Sequence, residues 1–384
     1  MPPSSVDVVI PTYNSATTIE SAVASIQNQT ERDIRIIVVN DGSVDATKEI
    51  VERLAAADDR IVLLEQPNSG IVDALNLGLT AVTASFVARH DADDLAMPDR
   101  FEKQLKYFSG NTDCVALSGA VRHIDEAGRA LTGIYSYPSP QLANVERLPQ
   151  LEPYLSHPFL MVRRCAIDKV GGYRQVFHAE DTDLYWRLQE VGRLHNLSEL
   201  LGDYRVHSLS VTSSLVNGRI SAINSQLSGL SARRRRAGHP DLKFLKSMLL
   251  EYKAAGTLEG MIKIGSRDLD VEEAKRLSAS ACAKLLELAS HRSYELGVED
   301  CTVIGGTLLP ALSAMSPESR DYCRRMLSGT AARLASTGNM SAARRLVPLR
   351  LYPAVAAKWA LRTVVPSGFR RTLRSVIRRD GFVK

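Results

Sequence analysis

The run Phe86-Val87-Ala88-Arg89-His90-Asp91-Ala92-Asp93-Asp94 sets carboxylates at i and i+2 where a short apolar segment ends. In extended backbone those two side chains share one face. Hard divalent cations take oxygen ligands, and Mg²⁺ in particular is commonly held by one or two carboxylates while substrate phosphates complete its shell. The pattern therefore predicts a metal that grips a diphosphate. Its plain alternative is a solvated acidic turn, because clustered charges are usually surface features.

The elements that must position these acids follow from periodicity. Strands are predicted at residues 6–10, 34–39, 61–64 and 86–88, with helical spacing of apolar positions near 17–28, 43–57 and 70–82. This βαβ alternation implies a parallel sheet with helices on its faces, and ligands on such sheets sit at the carboxyl ends of the strands. Polar tips fall at those ends: Pro11-Thr12-Tyr13-Asn14, Asn40-Asp41-Gly42-Ser43, Gln66-Pro67-Asn68-Ser69-Gly70 and Asp91-Ala92-Asp93-Asp94. Four polar tips on one edge describe a binding cleft. Pro98 is expected in the first turn of a helix over 98–108, where no amide donor is needed. A dinucleotide-binding fold would carry a Gly-rich turn after its first strand, and a nucleotidyltransferase a Gly-rich basic loop. Neither is present; an aromatic ring and an amide suit a base held by stacking and hydrogen bonds.

Taken together, Pro11-Thr12-Tyr13-Asn14, Val39-Asn40-Asp41-Gly42-Ser43-Val44-Asp45, Asn68-Ser69-Gly70, Asp91-Ala92-Asp93-Asp94 with Met97-Pro98-Asp99-Arg100, and Ala179-Glu180-Asp181-Thr182-Asp183-Leu184-Tyr185-Trp186-Arg187-Leu188 resemble the family 2 glycosyltransferases, in matching order over roughly residues 5–212. The resemblance implies an α/β fold of the GT-A type, a Rossmann-like nucleotide-sugar-binding sheet. It also implies an inverting, metal-dependent transfer of a sugar from a nucleoside diphosphate sugar, commonly a UDP-sugar, to a hydroxyl of a glycan or lipid-linked acceptor. Mn²⁺ or Mg²⁺ is the implied cofactor.

Residue by residue, the resemblance makes Tyr13 the stacking partner of the nucleobase, with Pro11, Thr12 and Asn68 around the same nucleotide pocket. Asp41 would accept from the base's imide N–H, although Asn-Asp-Gly-Ser is also turn chemistry and could cap the helix that follows. The resemblance places Asp93 on the metal and Asp91 on the ribose or the metal through water, with Asp94 a supporting or merely solvated charge. Many relatives carry an Arg facing the phosphates in the helix after the third strand; this chain reads Gly70-Ile71-Val72-Asp73-Ala74-Leu75-Asn76. Asp181 is the expected general base, since an inverting displacement needs a carboxylate to take the acceptor's proton; helix capping is the alternative. Glu180 is expected beside it in acceptor or sugar binding, and the two could exchange roles. His207, in Asp203-Tyr204-Arg205-Val206-His207, is a candidate third metal ligand, with a hydrogen-bonded structural His as the alternative.

A chain of 384 residues allows two or three domains at about 150 residues each. The expected division is a catalytic domain over 1–215 and an α-helical region over 216–384, rich in Ala, Leu, Ser and Arg. Residues 331–346 read as two helices joined at a Gly turn. The net charge of +5 is concentrated in the second half, in Arg233-Arg234-Arg235-Arg236 and in a tail where Asp380 is the one acid after Asp321. A basic amphipathic stretch over 349–379 fits peripheral contact with an anionic membrane, or else a solvated face. It lacks the interleaved aromatic platforms of a nucleic-acid module. Five scattered cysteines show neither zinc spacing nor disulfide density, the N-terminus lacks a signal-like apolar stretch, and no run is long enough to span a bilayer. These features predict a cytoplasmic location, soluble or peripheral on the inner face of the membrane. A competing function is a nucleotide-sugar-binding scaffold without turnover, which would have no use for the base at 181.

Overall fold

The computed structural model describes residues 5–206, 214–292 and 294–348. Strand β1 (Val6–Thr12) is buried along its whole length, as a strand covered on both faces must be. It pairs in parallel with β2 (Ile34–Asn40) on one side and β4 (Phe86–Arg89) on the other, and β2 carries β3 (Ile61–Glu65), also parallel. Helices α1 (Ile19–Gln27), α2 (Thr47–Ala57) and α3 (Ile71–Thr80) make the crossovers. Side chains alternate across the sheet with period two: Val8 and Ile10 join α1's Ile19, Val23 and Ile26 in one core, while Val9 joins α3's Val72 and Leu75 in another. The four expected strand tips therefore do lie along one edge.

The chain continues through β5 (Leu95–Ala96), α4 (Arg100–Gly110), β6 (Cys114–Ile124), β7 (Ala130–Tyr135), β8 (Met161–Arg163), α5 (Arg164–Val170), α6 (Glu180–Gln189) and β9 (Arg193–Arg205). Among the described residues nine strands form one sheet in the order β3-β2-β1-β4-β8-β6-β9-β5, with β7 on β6. The parallel sheet expected from the βαβ alternation is confined to β1–β4. Beyond it β8 runs antiparallel to both β4 and β6, and β5 antiparallel to β9, while β6 and β9 are parallel. The α4 helix starts at Arg100 after the N-cap Asp99. Pro98 thus precedes the helix, and its carbonyl accepts from Thr30 N at 2.8 Å.

From residue 215 the described chain is helical, as its composition predicts: α7 (Leu215–Arg236), α8 (Met248–Ala255), α9 (Leu258–Gly265), α10 (Val271–His291), α11 (Val298–Ala311), α12 (Pro317–Ser336) and α13 (Met340–Leu346). Helix α10 opens on a capping box, in which Asp270 accepts from the amides of Glu272 and Glu273 at 2.9 Å and Glu273 accepts from Asp270 N at 3.3 Å. The expected helix pair is α12 and α13, joined where Gly338 takes φ +87°. The described residues gather into two compact units, one of residues 5–145, 151–206 and 228–246, the other of 146–150, 214–227 and 247–348.

The arginine run at the end of α7 is engaged within the sheet-bearing unit. Arg235 pairs with Glu190 at 2.8 Å and Asp241 at 2.9 Å, and Arg236 lies 5.4 Å from the Trp186 ring centroid. The basic stretch over 349–379 lies outside the described residues. Among those described, no helix is long and apolar enough to cross a membrane.

Candidate active site

The loop after β2 is locked by its own polar side chains. Asn40 Oδ1 accepts from Ser43 N at 3.1 Å, closing the turn. Gly42 takes φ +71°, and a Cβ there would sit 2.6 Å from Asn68 N, so this approach of two loops requires glycine. Asp41 is 5 % exposed; its Oδ1 accepts from Gln66 Nε2 at 2.7 Å and Ser69 N at 2.8 Å, its Oδ2 from Gly70 N at 2.9 Å. The side chain thus ties β2's tip to the loop before α3 rather than capping α2. A carboxylate offers about four acceptor positions, so one remains on Oδ2 for a base N–H. Tyr13 is 48 % exposed, whereas Pro11 and Thr12 are buried. Asn68 is exposed.

The acidic loop lies between β4 and β5. Asp91, Asp93 and Asp94 each offer a carboxylate oxygen within 4.8 Å of the others. Asp94 is 1 % exposed, which removes the reading of it as a solvated charge. Its Oδ1 accepts from Arg205 N at 2.7 Å, and its buried Oδ2 has no hydrogen-bond partner among the described residues. Arg205 also donates to the Asp93 carbonyl at 2.7 Å, bracing the loop from β9. Burial, together with repulsion from Asp91 and Asp93, holds Asp94 well above the ordinary carboxylate range. Asp91 is likewise raised, first by burial and then by Asp93, against the pull of Arg89. Three crowded oxygen donors, one of them orphaned, form a set that a hard divalent cation satisfies and relieves of its repulsion.

Arg89, at the end of β4, was not singled out from the sequence. It is 7 % exposed, forms an ion pair with Asp91, and its Nε and Nη1 make no hydrogen bond among the described residues. A signal did exist: Arg89 precedes Asp91 by two residues, the same spacing that links Asp91 to Asp93 on one face of extended backbone.

Helix α6 begins with Glu180. The Glu180 carboxyl is pushed up to about 7, mainly by burial and next by the neighbouring Asp181 charge, and its Oε2 is buried without a hydrogen-bond partner. Asp181 is also raised by burial, against the Thr182 amide that donates to it at 2.7 Å and against Arg89. Arg89 therefore favours the charged forms of Asp91, Glu180 and Asp181 together, which puts the two acidic clusters in one electrostatic neighbourhood. Asp183, third acid of the same motif, turns elsewhere: it is fully buried between Arg174 and Arg187, with Arg187 at 2.8 Å. Arg187 holds the carbonyls of Val170 and Gly172 at 2.7 Å, so this cluster fixes where α6 starts.

The glycosyl transferase family 2 model matches residues 7–171. The O-antigen biosynthesis glycosyltransferase WbnJ of Escherichia coli is 30 % identical over 216 residues, 54 % of this chain and 82 % of WbnJ. This chain belongs to glycosyl transferase family 2. A chondroitin synthase of Pasteurella multocida is 28 % identical over 203 residues, 53 % of this family 2 chain but 20 % of the synthase. The family 2 chain thus spans about a fifth of that relative's length. A solved mannosyltransferase from Pyrobaculum calidifontis, in complex with GDP-Man and Mn²⁺, aligns over 85 % of the chain and 87 % of its own at 18 % identity and a TM-score of 0.47.

Two other positions were expected at the site. Asn76, in the helix where many relatives carry an Arg, donates to the Tyr173 carbonyl and accepts from Tyr173 N, both at 2.9 Å, which ties α3 to the loop before α6. His207 lies outside the described residues.

Proposed function

We propose that this chain transfers a sugar from a nucleoside diphosphate sugar, a UDP-sugar, to a hydroxyl of a glycan or lipid-linked acceptor in surface polysaccharide synthesis, with inversion at the anomeric carbon. Tyr13 stacks on the base and the remaining acceptor position of Asp41 Oδ2 takes its N–H. A cation, Mn²⁺ or Mg²⁺, held by Asp93, Asp91 and Asp94 would supply positive charge against the departing diphosphate, with His207 a further ligand. Arg89 fixes Asp91 beneath the sugar. Asp181 takes the proton of the acceptor hydroxyl as its oxygen attacks the anomeric carbon from the face opposite the diphosphate, and Glu180 binds the sugar or acceptor next to it. One displacement of this kind inverts the configuration.

The observation that carries this reading is that Arg89 acts on Asp91, Glu180 and Asp181 together, acids separated by some ninety residues of chain. Family membership and the relatives' part in polysaccharide synthesis support it. The test is a panel of UDP- and GDP-sugars with and without Mn²⁺, followed by NMR of the released sugar. Cation-dependent release of the opposite anomer is expected. Release without a cation, or with retention, overturns the proposal.

A further inference from the structure

Arg100, the first residue of α4, is a cation outside the groups used so far. It is fully buried, and among the described residues its hydrogen-bond partners are two carbonyls, an imidazole and an amide, none of them a carboxylate. The ring centroids of Phe101 and Phe159 lie 5.1 and 5.2 Å from its guanidinium carbon. Burying a charge away from any counter-ion costs free energy, and an apolar side chain of similar volume often serves stability as well or better. What Arg100 contributes is therefore sought in what it holds.

A guanidinium donates and never accepts, so every bond it makes has one direction. Arg100 Nη2 donates to the carbonyl of Arg89 at 2.8 Å and to that of Leu160 at 3.2 Å. Its Nη1 donates to His90 Nδ1 at 3.3 Å, so the proton of the neutral imidazole stands on Nε2, which faces Ser25 Oγ at 3.5 Å. Ser25, on α1, donates to the Ala22 carbonyl at 2.7 Å and accepts from Ala96 N at 3.0 Å. The network thus grips both ends of the acidic loop: Arg89 and His90 lead into Asp91, and Ala96 follows Asp94 and Leu95. Gln29, also fully buried, repeats the hold one residue on, donating to the Met97 carbonyl at 2.7 Å and accepting from Phe101 N at 3.2 Å. A loop pinned at both ends keeps its carboxylates to one span. Mg²⁺, and Mn²⁺ close to it in size, demand near-octahedral geometry at about 2.0–2.1 Å, whereas Ca²⁺ accepts irregular shells at about 2.3–2.6 Å. Rigidity here favours the smaller ions.

We propose that Arg100 is a positioning residue which, through the Arg89 carbonyl, His90 and Ser25, pins the acidic loop so that its carboxylates suit a small octahedral cation and discriminate against Ca²⁺. This deepens the proposed function and rests on its placing of a cation at Asp91, Asp93 and Asp94. Arg100 itself touches neither cation nor substrate; it acts through the backbone on which the ligands stand.

The test is calorimetric titration of the full chain with Mn²⁺ and, separately, with Ca²⁺. Arg100→Lys keeps the charge but cannot span two carbonyls and an imidazole at once. It is expected to raise the Mn²⁺ dissociation constant tenfold or more while moving that of Ca²⁺ less than threefold, so that the preference for Mn²⁺ narrows. Ser25→Ala, which releases Ala96 N and leaves the buried cation in place, should narrow the preference in the same sense, and it supplies a second probe should Arg100→Lys lose its fold. A group that only stabilises the fold would lower the denaturation midpoint and leave the ratio of the two constants unchanged; that result in both variants overturns the inference, as does an unsubstituted chain that binds Mn²⁺ and Ca²⁺ equally. The proposed function is scored separately: an unsubstituted chain that binds neither ion at millimolar concentration removes the cation from that reading, whereas Mn²⁺ binding with a ratio indifferent to both substitutions overturns the role of Arg100 alone.

Discussion

Replacing Asp181 by Asn and Glu180 by Gln, one at a time, separates the two acids that begin α6. A positioned general base contributes roughly 10²–10⁴ in rate, or about 3–5 kcal/mol at about 1.4 kcal/mol per decade. Asp181→Asn should therefore lower nucleotide-sugar turnover by at least a hundredfold at every pH. The pH dependence carries more information. The two carboxyls titrate as a pair, with Glu180 raised to about 7 by burial and then by Asp181. In the unsubstituted chain turnover should rise as pH passes through the raised range of Asp181, because only its ionised carboxylate can accept the proton of the incoming hydroxyl. In Glu180→Gln the repulsion is gone from Asp181 as well, so its folded pKa falls and the rise should move to lower pH while turnover at pH 8 stays within about tenfold. The assay is nucleotide release between pH 5 and 9 with Mn²⁺, on variants whose Tm is checked at each pH. The reasoning is refuted if Asp181→Asn keeps turnover within threefold and shifts its rise to lower pH, for then Glu180 would be the base.

Further outcomes follow from other parts of the sheet-bearing unit. Asp94→Asn keeps the side chain's volume but removes its charge, and should weaken Mn²⁺ affinity by roughly 10–100-fold by calorimetry; affinity should also fall as pH drops through the raised range of Asp91 and Asp94, because cation and proton compete for the same oxygens. Unchanged affinity would remove Asp94 from the ligand set. Asp183→Ala strands Arg174 and Arg187 and should cost about 3 kcal/mol of stability, read as a lower denaturation midpoint; a loss under 1 kcal/mol would show that α6 is placed by other contacts. Deleting residues 349–384 should release the protein from vesicles containing anionic lipid while leaving the midpoint of the remaining chain intact, since Leu346 and Val347, which are buried, are retained. Persistent vesicle binding would place the contact elsewhere.

The sequence by itself determined the parallel half of the sheet, its polar edge, the acidic loop and the helical character after residue 215. Each is a local or periodic property: β1 to β4 alternate with amphipathic helices, and Asp91 and Asp93 share a face through spacing alone. Tertiary structure decided what distant side chains do to one another. Asp183 is three residues from Glu180 yet serves Arg174 and Arg187, and Asp94 is buried and accepts from the amide of Arg205, over a hundred residues on at the end of β9. Asp41 spends three of its acceptor positions on a loop some twenty-five residues away. The mixed half of the sheet escaped the periodic reading because its pairing does not follow chain order: β6 and β9 lie side by side although β7, β8, α5 and α6 intervene in the chain.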